Sequence, residues 1–316
     1  MKTSTIGVVG ASGRLGGLVA EMAAGAGLEV VPISGRSIAA GKDDTDFSAL
    51  EAVIIAAPLP SIHFHRRAIE AGCHAVDVGI VERTIREALA LDGLARERER
   101  ALVVMAGLAP GLTGLLGLSM AHRYPDADRI DVVLVQSAQG TAGERGVRDM
   151  LDMLSDAKAS PITKLDATRP SIGAGSAVVF GLPSAERAVL EHDVDGPAIR
   201  YHTAFDAPSM NRTIRLLRHV RRFLPKLYER IRDRVAASKA RRPSPAEEKA
   251  RLAAIAVGTD GTALGRDELT VSSDYGATAK VAVALAQMAI TEQLSPGVGH
   301  PAAFTDWQTF TGRAFE

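Results

Sequence analysis

The sequence predicts an α/β protein that begins with a doubly wound parallel sheet and continues into a second, α+β domain. Three observations carry this prediction. Short apolar runs alternate with helical segments over the first 120 residues, glycines follow the first run at a regular spacing, and the middle of the chain changes to hairpin-like patterning. The 316 residues suffice for about two domains of roughly 150 residues each.

The first 120 residues are expected to form strands and helices in alternation, because apolar, β-branched runs of four to six residues are typical of buried strands. The strands are predicted at Thr5–Val9, Leu28–Ile33, Ala52–Ala57, Ala75–Val78 and Leu102–Met105. The helices are predicted at Leu15–Ala26, Ile62–Ala71 and Glu82–Arg100, and Gly72 should end the second of them. Helices between consecutive strands imply a parallel sheet.

The rest of the chain has the mixed patterning of an α+β domain. Strands are predicted at Ile130–Gln136, Gly173–Val179 and Ile199–Phe205, and a helix at Glu144–Ser155. The runs Ala253–Val257 and Glu268–Ser272 flank the turn residues Thr259-Asp260-Gly261-Thr262, which predicts a hairpin.

Three further segments complete the predicted organisation. The mostly apolar segment Tyr275–Ile290 should form a buried helix, and Ala236–Lys249, with its prolines and charges, favours an exposed loop. We therefore expect a first domain at 1–123, with 274–316 packing back onto it. A substrate and dimerisation domain is expected at 124–273, with a basic helical insertion at 208–250, and a homodimer is the expected assembly.

Composition excludes several functional classes. The formal net charge is zero, so no global signal points to nucleic acid. The single cysteine, Cys73, excludes a disulfide framework and a multi-thiolate metal site, and no cluster of metal-ligand residues is expected. No secretory signal precedes the first strand, and no apolar run reaches the ~18 residues that a membrane span needs, so we expect a cytoplasmic protein.

The strongest functional signal is the glycine turn, residues 10–16, between the first strand and the first helix. Gly10 permits a tight turn, Gly13 allows the backbone to approach a pyrophosphate, and Gly16 lets helix and strand pack closely. The helix that begins with Arg14 and Leu15 presents free N–H groups to the phosphates, and Ser12 lies within the turn. The motif predicts that the first domain, 1–123, is a dinucleotide-binding domain with a Rossmann-like site, although an ordinary tight turn is the alternative.

The end of the second strand favours NADP(H) over NAD(H). An NAD site usually has an acidic residue there to hold the ribose 2′-hydroxyl. This chain instead has Ser34, Arg36 and Ser37, and no acidic residue occurs between Glu29 and Asp43. Arg36 could pair with a 2′-phosphate, the serines could donate to it, and Arg14 could add charge. A solvated loop arginine is the alternative role for Arg36.

With these residues assembled, the chain resembles the saccharopine dehydrogenase-like oxidoreductases. The resemblance rests on the glycine turn with Gly35-Arg36, on Ala56–Pro60 with His63 and Ala71–Asp77, and on Ala106–Thr113. It also rests on Asp274–Thr278 with Pro296–Val298. It implies a reductase or dehydrogenase whose nicotinamide lies over the strand ends. The residues that it implies for the nicotinamide ribose and the substrate cleft are Ala57, Pro58, Leu59, Asp77, Gly79, Gly107 and Pro110.

Candidate proton donors and acceptors occur in both predicted domains. In the first domain, Asp77 ends a strand and His63 begins a helix, so either residue could also have a purely structural role as a turn cap or helix start. His74 is a further histidine there. In the second domain, His202 and Asp206 should share one face of a strand and could act as a general acid and its orienting partner. An exposed strand face is the alternative for this pair.

Other redox chemistries are disfavoured by the sequence. None of the four tyrosines is followed four residues later by lysine, which disfavours the Tyr-x-x-x-Lys class of reductases. Cys73 lies in a predicted helix-to-strand turn, where a small core residue is a better interpretation than a nucleophile.

The stretch Arg212–Arg242 is crowded with arginine and lysine and has apolar residues at steps of three and four. It predicts a basic amphipathic helix or helix pair that breaks near Pro225. One alternative is a core-facing helix with a solvated outer face. The others are an acidic protein partner, such as a carrier protein, and an anionic membrane surface.

The sequence as a whole predicts an NADP(H)-dependent oxidoreductase. Its reaction would be reduction of a C=N or C=O bond in a small metabolite or in a biosynthetic intermediate tethered to a carrier. The alternative is a protein that binds NADP(H) as a sensor, or docks a partner through the basic helix, without turnover.

Overall fold

A computed structural model describes residues 3–138, 140, 144–164, 178–190, 196–240 and 249–315. The chain divides into two compact units, each with its own six-stranded sheet. The first unit comprises Met1–Leu115, Ala185–Leu190 and Tyr275–Glu316. The second comprises Leu116–Ser184 and Glu191–Asp274. The sequence prediction placed Ala185–Leu190 in the second domain, 124–273, whereas this segment belongs to the first unit.

The first unit is built on a parallel sheet in the order β12-β5-β4-β3-β1-β2. Its strands are β1 (Thr5–Val9), β2 (Glu29–Ile33), β3 (Ala52–Ile55), β4 (His74–Asp77), β5 (Ala101–Val103) and β12 (Gly297–Gly299). Because β1 pairs with both β2 and β3, the strand order reverses there, and this reversal creates a crevice at the carboxyl ends of the strands.

Within the described part of the chain, nine helices lie wholly or partly in the first unit. They are α1 (Arg14–Gly25), α2 (Gly35–Ala39), α3 (His63–Glu70), α4 (Glu82–Leu89), α5 (Asp92–Glu97), α6 (Leu112–Arg123), α8 (Ala185–Leu190), α11 (Asp274–Ile290) and α12 (Trp307–Phe315). A short 3₁₀ turn occupies Pro301–Ala303. Helix α11 is buried along most of its length, as predicted.

The single helix predicted over Glu82–Arg100 is wrong, because the chain forms α4 and α5 with a break between them. The Asp92 carboxylate accepts a hydrogen bond from the backbone N–H of Val298 at 2.8 Å and also binds Arg96 at 2.7 Å. This contact with β12 fixes where α5 begins. The break lets Ile85 and Leu91 both lie in the core.

His74 is buried at the start of β4, where its Nδ1 accepts a hydrogen bond from the backbone N–H of Ala101 at 3.0 Å. Burial, together with the nearby Arg100, lowers the pKa of His74 from 6.5 to about 4. Below pH 6.5 the unfolded chain therefore binds a proton that the folded chain does not, and stability falls until the pH reaches the folded pKa.

We expect His74→Asn to flatten the pH dependence of unfolding between pH 6.5 and 4, because asparagine keeps an acceptor and removes the titration. The wild-type loss over this window should reach up to about 3 kcal/mol. Urea unfolding at a series of pH values gives the free energy of unfolding, and the fluorescence of the single tryptophan, Trp307, reports on the first unit. His63→Asn, at an exposed histidine, should keep the wild-type slope. An unchanged slope in His74→Asn would contradict this assignment.

The second unit contains a mixed sheet in the order β11-β10-β6-β9-β8-β7. Its strands are β6 (Arg129–Gln136), β7 (Ile162–Lys164), β8 (Val178–Gly181), β9 (Ala198–Phe205), β10 (Ala250–Val257) and β11 (Ala263–Val271). The predicted hairpin is present between β10 and β11. Gly261, with φ of +82°, lies in its turn, and Asp260 accepts hydrogen bonds from Thr262. Most of the predicted strand Gly173–Val179 lies outside the described residues.

Three helices of the second unit lie entirely within the described part of the chain: α7 (Glu144–Ser155), α9 (Pro208–Phe223) and α10 (Pro225–Ala240). The break near Pro225 is as predicted, and Arg241 and Arg242 lie outside the described residues. The loop predicted to begin at Ala236 is wrong over its first five residues, because α10 continues to Ala240. Val235 and Ala236 pack in the cluster that α7, α9 and α10 form, which extends the helix. The rest of that segment, up to residue 248, is not described.

No helix in the described ranges is long and apolar enough to cross a membrane.

Candidate functional site

The carboxyl edge of the first sheet gathers the loops that follow β1, β2 and β3. The N–H of Gly10 donates to the carbonyl of Ile33 at 2.9 Å, and the N–H of Ala56 donates to the carbonyl of Val9 at 3.1 Å. These bonds tie the three loops together beside the reversal of strand order. This is the location at which open α/β sheets bind their ligands.

The glycine turn has the close packing that its sequence predicts. Gly10 has φ of +82°, in the left-handed region, and a Cβ there would lie 2.7 Å from the Cβ of Ala57. The N–H of Gly13 donates to the Gly10 carbonyl at 2.8 Å. A Cβ on Gly16 would overlap the same carbonyl group. Glycine at 10 and 16 is therefore required by the backbone itself.

The amino end of α1 is open to an anion. Ser12, Gly13 and Arg14 are exposed, and Leu15 is half-buried. Gly13 is the N-cap residue, no side chain caps the helix, and the first turn contains no acidic residue. The N–H groups of a first helical turn have no partner within the helix, and the helix dipole adds positive potential there. The turn can therefore hold a pyrophosphate.

Ser34, Arg36 and Ser37 follow β2 directly at this edge. The Ser34 hydroxyl accepts a hydrogen bond from the N–H of Ser37 at 3.2 Å, and Ser34 and Arg36 are both exposed. The next acidic residue along the chain, Asp43, forms an ion pair with Arg67 and accepts a hydrogen bond from Thr45. That carboxylate is engaged in holding the loop after α2, whereas Arg36 is exposed to solvent.

The loop after β3 presents the residues that the family resemblance places near the nicotinamide ribose. Ala57 is half-buried, Pro58 is exposed, and the Leu59 side chain packs in the core with 9% of its surface exposed. Leu59 can therefore offer a ligand only its backbone. His63 is the first residue of α3, as predicted, and its side chain is exposed. Its backbone N–H donates to the Ser61 hydroxyl at 3.4 Å.

Asp77 pairs with a histidine that sequence reasoning missed. Its Oδ2 lies 2.7 Å from Nε2 of the fully buried His65, and its Oδ1 accepts a hydrogen bond from the N–H of Gly79 at 2.7 Å. Both carboxylate oxygens are thus engaged, and Asp77 holds the turn after β4. The buried positions of α3 include Phe64, His65 and Ala68, so helical periodicity would have identified the buried histidine.

A second carboxylate and imidazole pair, which sequence reasoning also missed, is formed by Glu186 on α8 and His300, the residue that follows β12. Glu186 on α8 is fully buried, and its Oε1 lies 3.2 Å from Nε2 of His300. The His300 Nδ1 accepts from the N–H of Ala302 at 3.1 Å, which leaves Nε2 to donate to the carboxylate. The residues lie 114 positions apart in the chain, and no local pattern connects them.

Glu186 anchors the turn that contains Gly107 and Pro110. Its carboxylate accepts hydrogen bonds from the N–H groups of Gly111 (2.5 Å) and Gly114 (2.8 Å) and from the Thr113 hydroxyl (2.7 Å). The N–H of Gly107 donates to the Pro110 carbonyl at 3.1 Å within the turn, and the Ala109–Pro110 peptide bond is cis. Burial alone would raise the pKa of Glu186, but the His300 contact and the other donors lower it overall. An ionised Glu186 therefore caps the start of α6.

The predicted pairing of His202 with Asp206 is wrong. His202 is buried on β9 of the second unit, and its Nε2 lies 3.1 Å from Oδ1 of Asp131 on β6. Asp206 lies just beyond the end of β9, is exposed, and accepts a hydrogen bond from the N–H of Ala138 at 2.7 Å. Burial opposes ionisation of Asp131, but contacts with His202 and Arg129 lower its pKa overall. The strand ends at Phe205, so the alternation assumed for Asp206 does not apply.

Cys73 is a core residue, as the sequence suggested. It is fully buried, its Sγ donates to the Leu50 carbonyl at 2.8 Å, and burial raises the pKa of its thiol to about 11. A thiol with this pKa is protonated at neutral pH and is a poor nucleophile.

Comparison with known proteins supports the fold class. No protein-family model matches the chain, and no curated protein matches it. An engineered D-amino acid dehydrogenase bound to NADP+ matches with a TM-score of 0.50 and 16% identity, over 96% of this chain and 95% of that chain. The C. glutamicum DAP dehydrogenase, solved in complex with DAP, matches with a TM-score of 0.53 and 14% identity over the same shares.

At these identities the likeness shows the fold alone. The predicted α/β class, a Rossmann-like parallel sheet with a second α+β unit, is confirmed. The resemblance to the saccharopine dehydrogenase-like family is not confirmed by these comparisons. The roles of the candidate site residues in binding and catalysis stay predictions.

Proposed function

We propose that the protein is an NADP(H)-dependent oxidoreductase that reduces a C=N or C=O bond. The observation that carries this proposal is the glycine turn at the reversal of strand order, followed by an uncapped and exposed helix start. Gly10, Gly13 and the amino end of α1 would hold the pyrophosphate of a dinucleotide, and the loops after β3 and β4 lie at the same edge of the sheet. Proteins of this fold include one that binds NADP+, which supports the same cofactor here.

The exposed side chains after β2 support NADP(H) rather than NAD(H). Arg36 can pair with a 2′-phosphate through its planar guanidinium, and Ser34 can add a hydrogen bond. The first acidic residue after Arg36 along the chain is Asp43, and Arg67 already binds it. The 2′-phosphate is therefore the better match to the groups at this end of the crevice.

Bound NADPH would supply a hydride to the carbon of the C=N or C=O bond, and a protein side chain would add the proton to the nitrogen or oxygen. Hydride transfer requires mainly positioning and one proton donor. His63 is exposed beside the loop after β3, whereas His65 and His300 are buried in carboxylate pairs. We therefore assign the donor role to His63. A fold neighbour that acts on D-amino acids favours a C=N bond.

Arg36→Ala tests the cofactor assignment. We expect the variant to weaken NADPH binding by about tenfold or more and to leave NADH binding unchanged, because only NADPH has the 2′-phosphate. Titration by nicotinamide fluorescence measures both. Arg66→Ala, at another exposed arginine of the first unit, should leave both affinities unchanged. Equal losses for NADPH and NADH in Arg36→Ala would contradict the role of Arg36.

A non-catalytic sensor is the second candidate, because both carboxylate and imidazole pairs of this edge are closed to solvent. A single-turnover measurement separates the two functions. The enzyme with bound NADPH should lose nicotinamide absorbance when 2-oxo acids and ammonia are supplied, and His63→Asn should slow this step. NADPH that stays reduced with every carbonyl and imine tested would favour the sensor.

A further inference from the structure

The corner between α9 and α10, residues 222–227, exposes six consecutive residues that combine apolar and basic side chains. Phe223 has 68% of its surface exposed, Leu224 has 55% and Leu227 has 44%. Leu216, two helical turns before Phe223 on α9, is 64% exposed. Large apolar side chains exposed in one contiguous group mark an interaction surface.

The same helix pair has a strong excess of positive charge. Residues 208–240 contain ten arginines and lysines against two acidic residues, Glu229 and Asp233. Arg218 is bound inside the unit by the carbonyls of Leu154 and Ser160, and Arg232 is bound by Asp152.

The basic residues at the corner itself face solvent. Arg222 and Lys226 are exposed within the run 222–227, and Arg230 is exposed one turn further along α10. A groove of about 710 Å³ opens beside the corner. Arg222, Arg221 and Lys158 line the groove together with Asp156, which lies 3.8 Å from Arg221, so the free positive charge of the corner rests on Arg222, Lys226 and Arg230.

We propose that the α9–α10 corner binds the surface of an anionic lipid bilayer. Phe223, Leu224 and Leu227 would enter the boundary between headgroups and acyl chains, while Arg222 and Lys226 pair with lipid phosphates. The match is one of charge and of exposed apolar side chains. A short exposed corner with three apolar side chains beside basic ones suits an anionic bilayer, whereas a stable protein partner needs roughly 800 Å² of matched surface.

Sedimentation of the full-length protein with lipid vesicles tests this proposal. We expect binding to vesicles that contain about one third phosphatidylglycerol and little binding to vesicles of phosphatidylcholine alone. Binding should weaken at 0.5 M salt, since salt screens the interaction between exposed charges. Failure of the wild-type protein to bind anionic vesicles at low salt would overturn the proposal.

Two variants separate the apolar and the charged contributions. Phe223→Ser with Leu227→Ser should lower the vesicle partition coefficient about tenfold or more, and Arg222→Glu with Lys226→Glu should abolish the preference for anionic lipid. Leu264→Ser, at an exposed leucine on β11 of the same unit, is the matched control and should bind like the wild type.

Light scattering of the same variants distinguishes a lipid surface from a second copy of the chain. Unchanged oligomeric state in Phe223→Ser with Leu227→Ser, together with lost vesicle binding, supports the lipid proposal. A lower oligomeric state in this double variant would assign the corner to self-association if the variant still binds vesicles, or if the wild-type protein does not bind them. Either result would overturn the lipid proposal.

Discussion

Gly16→Ala is expected to destabilise the first unit by about 2 kcal/mol or more, although alanine is the better helix former. A Cβ at this position would overlap the carbonyl of Gly10 and lie 2.9 Å from the backbone nitrogen of Ala11, and neither backbone group can move without opening the turn. Overpacking of this kind costs typically 1–3 kcal/mol. Because the turn must shift, we also expect NADPH binding to be lost.

Gly17→Ala is the matched control on the same helix. A Cβ on Gly17 would meet only the carbonyl oxygen of Ala11, at an ordinary 3.5 Å. Its gain in helix propensity should stabilise the unit by up to about 1 kcal/mol. Urea unfolding monitored through Trp307 compares the two variants, since this single tryptophan lies in the first unit. Similar stabilities for Gly16→Ala and Gly17→Ala would contradict the close approach of the Gly10 carbonyl to position 16.

Glu186→Gln is expected to destabilise the first unit by roughly 3 kcal/mol. The buried carboxylate accepts hydrogen bonds from Gly111, Thr113 and Gly114, and His300 faces it as well. A glutamine keeps the shape but directs an NH₂ group at these donors, and it removes the charge that makes each bond strong. Breaking such a buried arrangement by changing one partner costs roughly 3–5 kcal/mol.

The pH dependence of the free energy of unfolding below pH 4.5 gives a second test of Glu186. Its folded pKa is lower than the ordinary 4.5, so its stabilising contribution is complete above pH 4.5 and is lost as the pH falls through the folded pKa. We expect Glu186→Gln to have a flatter pH dependence below pH 4.5 than the wild type. Glu97→Gln, at a largely exposed glutamate, should keep the wild-type slope and stability. A wild-type slope in Glu186→Gln would contradict an ionised, hydrogen-bonded Glu186.

Local patterns predicted most of the first unit. The glycine spacing at residues 10–16 identified the turn because its geometry depends on few neighbouring residues. The strand Thr5–Val9 has the predicted limits, and so does the helix Glu144–Ser155 of the second unit, because apolar periodicity and burial agree there. The break between α4 and α5 was not predicted, since it depends on Val298, which is 206 residues from Asp92.

The side-chain pairs could not be predicted because they depend on tertiary contacts. His202 meets Asp131 through the parallel pairing of β9 with β6, where Val133 is opposite His202 and Arg200 is opposite Asp131. Strand register of this kind is not encoded by the pattern of either strand alone. Glu186 and His300 come from segments that join the sheet edge only after the chain has passed through the second unit.

Titration of the purified wild-type protein with NADPH and with NADH, followed by nicotinamide fluorescence, tests whether the first unit binds a dinucleotide. The glycine turn and the exposed Arg36 predict saturable binding of one NADPH per chain, tighter than that of NADH. If neither nucleotide binds, the carboxyl edge of the first sheet is not a dinucleotide site.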